Sequence, residues 1–301
     1  MGCGIAAVAA SSGYKVVVVE TSESARYAGK DKVVALINEL SINELISDRQ
    51  ASVARTSVEF TDDLESACSQ AFFVIEAIVE DLAEKQALFE KVDKILPPEV
   101  LFVSNTSGLR ITDIGLNVEK KERIATAHFW FPAHLVPLVE VVMGDGTTPE
   151  NAQIIYDILK SWGKAPVIVR KDLPGQLANR ILQAIIREAS NIVSIGLASP
   201  EDVDTAVKMG MGIRLPVWGP LEHVDAVGVE LCYKTQNTVL PGISAEQKAN
   251  DKFEQLMVDG YLGYKSGKGF YDWSEKDMKK LEQLRNDFII QSIKMIRNYQ
   301  K

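Results

Sequence analysis

Short β-branched runs alternate with helix-spaced stretches over the first 171 residues, and then the alternation stops. Residues 15–20, Lys-Val-Val-Val-Val-Glu, suit a strand buried on both faces of a parallel sheet. Further apolar runs at 71–78, 100–103, 123–129, 138–142 and 166–169 read as strands. Helical spacing fills 22–46, 82–95 and 148–162 between them. Strands that alternate with helices imply βαβ units and a mostly parallel, doubly wound α/β sheet.

After Lys171-Asp172-Leu173-Pro174-Gly175 the apolar positions Leu177, Ile181, Ile185, Ile186 and Ile192 recur at helical intervals, and no strand pattern follows. The sequence therefore divides into residues 1–171, a doubly wound domain, and residues 172–301, an all-α domain. A last amphipathic helix spans 275–299, with Leu281, Leu284, Phe288 and Ile289 on one side, and suits packing on either domain. No internal repeat or low-complexity segment interrupts this plan.

Composition narrows the function classes. A formal charge of −8 disfavours nucleic acid, which needs clustered Lys and Arg. Cys3, Cys68 and Cys232 show no metal-ligand spacing and suggest a reduced, cytoplasmic setting, with no metal expected. No apolar run approaches the roughly 18 residues of a membrane helix, so no membrane partner is expected. The start lacks the basic region of a signal peptide, and Ala6 stands where myristoylation wants Ser or Thr.

Residues 1–20 resemble the second half of a Rossmann dinucleotide-binding unit. Gly2 and Gly4 open an Ala-rich helix, and the following strand ends in Glu20. An acidic residue about 20 positions beyond the glycine turn binds the adenosine ribose hydroxyls and repels a 2′-phosphate, which predicts NAD over NADP. The first strand and the first two glycines of the fingerprint are expected to be lacking. Taken alone, Gly2-Cys3-Gly4 fits a plain helical terminus equally well.

A second constellation carries chemistry. Ser104-Asn105-Thr106-Ser107 and His128-Phe129-Trp130-Phe131-Pro132 each follow an apolar run. Glu140 sits in Leu138-Val139-Glu140-Val141, and Asn179-Arg180 lies in the first helix past the boundary. Oxidising a secondary alcohol needs a base for the hydroxyl proton, and imidazole titrates near neutrality. A carboxylate such as Glu140 can orient it and balance the imidazolium. Ser107 and Asn179 supply hydrogen bonds at the reacting oxygen. Read singly, His128 is a structural histidine, Glu140 a satisfied strand-end polar group and Asn179 a surface residue. His134 and His223 receive no role.

Taken in order, these segments resemble the 3-hydroxyacyl-CoA dehydrogenase family, which reads Ser-Asn-Thr-Ser, His-Phe-Phe-Asn-Pro, Leu-Val-Glu-Val and Asn-Arg. A late segment, Gly263-Tyr264-Lys265-Ser266-Gly267-Lys268-Gly269-Phe270-Tyr271, extends the resemblance over nearly the whole chain. The resemblance implies catalytic roles for His128, Glu140, Ser107 and Asn179. It also implies NAD contacts from Gly2, Gly4, Glu20, Glu80, Lys85, Ser107 and Lys265. It implies a homodimer built by the helical domain, and a place in fatty-acid metabolism as a reversible oxidoreductase of 3-hydroxyacyl-CoA.

Two departures bear on the substrate. Phe131 stands where the acyl-CoA enzymes commonly have Asn. The stretch 36–43, Leu-Ile-Asn-Glu-Leu-Ser-Ile-Asn, offers no lysine where those enzymes carry Ser and Lys beside CoA, although Lys30 and Lys32 precede it. The Val136-Pro137-Leu138-Val139-Glu140 segment is closer to relatives acting on free 3-hydroxy acids, such as L-gulonate and L-carnitine dehydrogenases. The readings that follow are a 3-hydroxyacyl-CoA dehydrogenase, a dehydrogenase of a free small 3-hydroxy acid, and a catalytically silent binding or structural homologue.

Overall fold

The computed structural model describes residues 1–299. The chain forms two compact units: Met1–Leu177 with the C-terminal stretch from Ile289, and Ala178–Phe288.

In the first unit, helix α1 (Gly2–Ser11) leads to strand β1 (Val16–Val19), helices α2 (Glu23–Ile42) and α3 (Asp48–Thr56) and strand β2 (Val58–Thr61). The helix expected over 22–46 is α2, which ends earlier, at Ile42, and a second helix, α3, follows beyond that range. Glu44 takes a left-handed φ of 56° that ends α2, and a Ser47/Gln50 capping box starts α3. β2 is a strand that the periodicity left unassigned; four residues are too few for a clear pattern. Helix α4 (Leu64–Ser69), β3 (Phe73–Glu76), α5 (Leu82–Ile95), β4 (Leu101–Ser104), α6 (Ile111–Ile114), β5 (Ile124–Phe129), β6 (Leu138–Met143), α7 (Pro149–Ser161) and β7 (Ala165–Val169) complete the unit.

The strands make two ladders, β1–β2 and β3–β4–β5–β6–β7. Every pairing is parallel except β5 with β6. The sheet is therefore divided between β1 and β3, where a doubly wound sheet of this order would carry one more strand. α1 bridges the division. Its Ile5, Val8 and Ala9 pack in one cluster with Val103, Ala127 and Val141 of the larger ladder, and Val16, Phe73 and Ile75 border that cluster. The ring of Tyr14, just before β1, stacks at 5.4 Å on Phe72, just before β3.

The second unit is all-helical. α8 (Leu177–Ser194) leads into it, followed by α9 (Pro200–Ala206), a π-helical turn (Val207–Gly212), α10 (Pro220–Val227), α11 (Val229–Val239), α12 (Asp251–Val258) and the start of α13 (Met278–Tyr299). It leaves large apolar side chains exposed, among them Trp218, Leu221, Val229, Tyr233 and Met257. Tyr271 is its local anchor, donating to the Pro200 carbonyl and to Asp204, both at 3.0 Å. Burial and the Asp204 bond push this phenol up to about 12.

The structure places the boundary between Leu177 and Ala178 rather than between 171 and 172, and it returns the C-terminal stretch to the first unit. The end of α13 belongs with the first unit, because Ile290 and Ile293 bury against Leu40, Leu45 and Leu135. Arg297 donates to the Leu45 carbonyl at 3.0 Å, and Lys294 pairs with Glu44. An amphipathic stripe specifies that a helix must pack and leaves its partner unspecified.

Candidate active site

Antiparallel pairing sets opposite residues on one face. β5 and β6 register His128 against Glu140, and the pair meets: His128 Nδ1 lies 2.8 Å from Glu140 Oε2. His128 is 7% exposed and Glu140 fully buried. Glu140 also accepts at the same oxygen from Trp130 Nε1, at 3.0 Å. The Trp130 ring is 5.8 Å from the His128 ring. Trp130 lies two positions after His128 and so returns to the same side of the chain. With Nδ1 committed to the carboxylate, Nε2 is the ring nitrogen left to exchange a proton.

A polar turn follows β4. Asn105 Oδ1 accepts from the Phe129 N–H at 2.9 Å, tying the end of β4 to the end of the histidine strand. Glu80 Oε1 accepts from Thr106 Oγ1 at 2.7 Å, from the N–H groups of Ser107 and Gly108 at 2.9 Å each, and from Ser107 Oγ at 3.3 Å. Burial pushes the Glu80 carboxyl up, but the bonds from Thr106, Gly108 and Ser107 and the charge of Lys85 outweigh it and hold it below the usual range.

Behind this turn lies a buried ion pair. Lys85 Nζ is 2.6 Å from Glu76 Oε1 and 3.5 Å from Glu80 Oε2. Ser104 Oγ donates to Glu76 Oε2, and the Ile78 N–H to Glu76 Oε1, both at 2.6 Å. Lys85 is 1% exposed and sits in the core. Its charge is held by Glu76 and Glu80, and it acts on the site through Glu80.

For the cofactor, α1 begins at Gly2 with no side-chain cap, which leaves amide donors of the kind that bind phosphates. A Cβ on Gly2 would meet only Ala77, at 3.9 Å, just past β3. A Cβ on Gly4 would meet Ala133 at 3.1 Å, so Gly4 lets the helix pack against the loop after the histidine strand. Glu20 follows β1 directly and is half-buried, and its Oε1 accepts from the Ser22 N–H at 2.9 Å. Those residues fit a dinucleotide; the divided sheet is where the fit is weakest.

Asn179 and Lys265 belong to the second unit, Asn179 half-buried on α8 and Lys265 exposed in the turn Tyr264–Ser266. His134, given no role, is bonded to Glu39 at 3.0 Å. Burial pulls its pKa down against the opposing pull of Glu39. Sequence reasoning missed Glu76, Ser104, Asn105 and Trp130. Ser104, Asn105 and Trp130 left a trace, as members of motifs whose emphasis fell on Ser107 and His128.

The family pattern described as 3-hydroxyacyl-CoA dehydrogenase, NAD binding domain, matches residues 1–173, and that of the C-terminal domain matches residues 175–273. The chain belongs to the 3-hydroxyacyl-CoA dehydrogenase family. It is thus an NAD-dependent oxidoreductase with a Rossmann-type domain followed by a helical one. It is 31% identical over 293 residues to the 5-formyl-3-hydroxy-2-methylpyridine 4-carboxylate 5-dehydrogenase of Mesorhizobium japonicum, covering 95% of this chain and 91% of that one. It is 32% identical over 277 residues to a probable 3-hydroxybutyryl-CoA dehydrogenase of Bacillus subtilis, covering 92% and 95%. Among solved structures, an NAD+-dependent dismutase, 5-formyl-3-hydroxy-2-methylpyridine 4-carboxylic acid 5-dehydrogenase, superposes with a TM-score of 0.90 at 29% identity, over 99% of this chain and 95% of that chain. Among the described residues, no helix of this dehydrogenase is long and apolar enough to cross a membrane.

Proposed function

We propose that this dehydrogenase acts on a small hydroxy acid that carries no coenzyme A, with His128 as the base. The observation that carries the reading is the C-terminal half of α2. A CoA tail bears several negative charges and needs local cations. Leu36 packs into the core beside Val33 and Ile37, and the Asn43 amide donates to the Glu39 carbonyl at 2.9 Å. From Val33 to Ile46 the chain has no Lys or Arg. The relative from Mesorhizobium japonicum, by its name, acts on a pyridine carboxylate, which also supports a CoA-free substrate.

NAD, when bound, supplies the hydride acceptor for the carbinol carbon. Gly2, Glu20 and the Thr106–Gly108 turn are the residues to hold it. His128 Nε2 takes the hydroxyl proton in oxidation and returns it in reduction. Glu140 keeps Nδ1 protonated, fixes the ring and balances the imidazolium. Ser107, placed by Glu80, is the hydrogen-bonding group at the reacting oxygen. Asn179 and Lys265 keep the roles that the family resemblance gives them, at the reacting oxygen and at the nicotinamide-side ribose.

The test compares NADH oxidation with acetoacetyl-CoA against a panel of free small 3-oxo acids and aromatic aldehyde acids. The expected result is a kcat/KM higher for a free acid; a preference for the thioester overturns the reading. A 3-hydroxyacyl-CoA substrate is the second reading, favoured by the 32% identity to the Bacillus subtilis protein and by the exposed Lys30 and Lys32. A homodimer through the exposed apolar residues of the second unit is expected in light scattering, and a monomeric mass would refute it. Three unpaired cysteines support a reducing, cytoplasmic setting.

A further inference from the structure

We propose that Trp130 is a positioning residue that sets the working pH of the His128–Glu140 dyad by sharing its carboxylate oxygen. The inference rests on His128 being the base. Two donors, His128 Nδ1 at 2.8 Å and Trp130 Nε1 at 3.0 Å, converge on Glu140 Oε2. Glu140 has no exposure of its own, so protein donors must replace water in stabilising its charge. A phenyl ring at this place would have no N–H, so Trp130 adds a bond that Phe could not make.

Two donors on one oxygen each weaken the other's hold. While His128 is neutral, Glu140 depends on both N–H groups. Once His128 is protonated, the imidazolium balances the carboxylate and the indole contributes less. Trp130 thus stabilises the unprotonated dyad more than the protonated one. It lowers the pH at which His128 becomes a free base, which favours oxidation at neutral pH over reduction. Because the bond persists, weakened, in the protonated dyad, only part of the usual worth of a hydrogen bond to a charged group is lost, and removing the indole N–H pushes proton uptake upward by about half to one pH unit.

Other charged groups of the first unit flank the dyad. On β6 the facing charge is Glu140, and its register partner on β7 is Val167. The end of β4 presents Ser104 and Asn105, which are neutral. From β3 and α5, Glu76 and Lys85 neutralise each other, with Glu80 beside Lys85. Buried residues of α7 on this ladder are Ala152, Ile155 and Leu159. The loop after β5 brings His134, paired with Glu39, and Lys164, just before β7, donates to the Ala133 and Val136 carbonyls of that loop at 2.6 and 3.0 Å. Burial, helped by Arg297, pulls Lys164 down to about 7, so it titrates in the same window and must be separated from His128.

The experiment titrates the His128 ring by NMR in the substrate-free protein, for the parent and for Trp130→Phe. His134→Asn and His223→Asn variants assign the signals. Replacing Trp130 with benzothienylalanine, which keeps the bicyclic shape and lacks the N–H, covers the case in which Trp130→Phe fails to fold. The expected result is an upward shift of His128 of about half to one unit in either variant, retained in a Lys164→Met background. In turnover, both limbs move up: the acidic limb of alcohol oxidation and the alkaline limb of carbonyl reduction. At an intermediate pH oxidation slows while reduction quickens. A merely structural role slows both directions. An unchanged or lowered His128 titration overturns the proposal. An upward shift without turnover leaves it standing and refutes the dehydrogenase reading instead.

Discussion

Replacing Lys85 with Met should loosen the active-site turn far more than a helix-surface lysine would suggest. The methionine stem fills nearly the same space and removes only the ammonium. Glu76 then keeps a buried carboxylate, with side-chain exposures of 1% for Lys85 and 0% for Glu76 in the parent. Removing one partner of a buried pair costs about 3–5 kcal/mol, because the other charge is left uncompensated. Two donors remain on Glu76, Ser104 Oγ and the Ile78 N–H, each at 2.6 Å. That places the loss near the lower end, about 3 kcal/mol.

Amide hydrogen exchange read by mass spectrometry suits the question, because the helical unit serves as an internal control. A loss of about 3 kcal/mol speeds exchange in peptides spanning β3 and β4 by about 150-fold where exchange follows opening. A Lys85→Met/Glu76→Gln double variant should recover part of the protection, since an amide can still meet Ser104 and Ile78 and leaves no charge behind. Exchange within about fivefold of the parent, roughly 1 kcal/mol, would refute the buried-pair reasoning. So would a double variant worse than the single one.

Three further outcomes follow from other parts of the first unit. His128→Gln should lower turnover by at least about 100-fold, the low end for a lost general base, while NADH affinity by fluorescence titration stays within a few-fold. Lys164, pulled from 10.5 down to about 7 mainly by burial, binds its proton less readily folded than unfolded. Its burial penalty is therefore full below pH 7 and is relieved as pH rises toward 10.5, so the parent should gain melting temperature between pH 7 and 9 relative to Lys164→Met; a parallel course would contradict it. Finally, amides of β1 and β3 should exchange well ahead of those in β5, whose residues are all buried, since each faces the division with one unpaired edge; equal protection would contradict a divided sheet.

The parts of this fold that were legible in the sequence share one trait: the local pattern and the tertiary environment agree. Ile124–Phe129 and Leu138–Met143 are apolar because both faces of their strands are covered, and α7 between Thr148 and Trp162 carries its cap and its stripe in the sequence. The pairing of His128 with Glu140 was legible because each sits in an apolar run, and the two runs register as neighbouring strands. β2 was not legible, because Val-Glu-Phe-Thr is brief and half polar. Lys85 was not legible as a core residue, because an i to i+4 reading of Glu-Asp-Leu-Ala-Glu-Lys looks like a solvated helix start. Only the fold brings Glu76 across to it. Trp130 was invisible as a site residue for the same reason: an indole in an apolar segment reads as packing until its N–H is seen on Glu140.

The division of the sheet separates two tasks that a continuous sheet would couple. His128, Glu140, Glu76 and the turn after β4 all belong to the five-stranded ladder, whose pairing is continuous from β3 to β7. Glu20 directly follows a strand of the two-stranded ladder. α1 joins the two through Ile5, Val8 and Ala9 on the larger core and through Ala6, Ala7 and Ala10 against Val33 and Ile37 of α2. A change that loosens α1 should therefore weaken the hold on the adenosine half of NAD while leaving the His128–Glu140 distance intact. Because the dyad is fixed by cross-strand register and the proposed ribose contact by helix packing and the Tyr14–Phe72 stack, the dyad geometry is the more robust of the two, and cofactor affinity is where this dehydrogenase is most exposed to change.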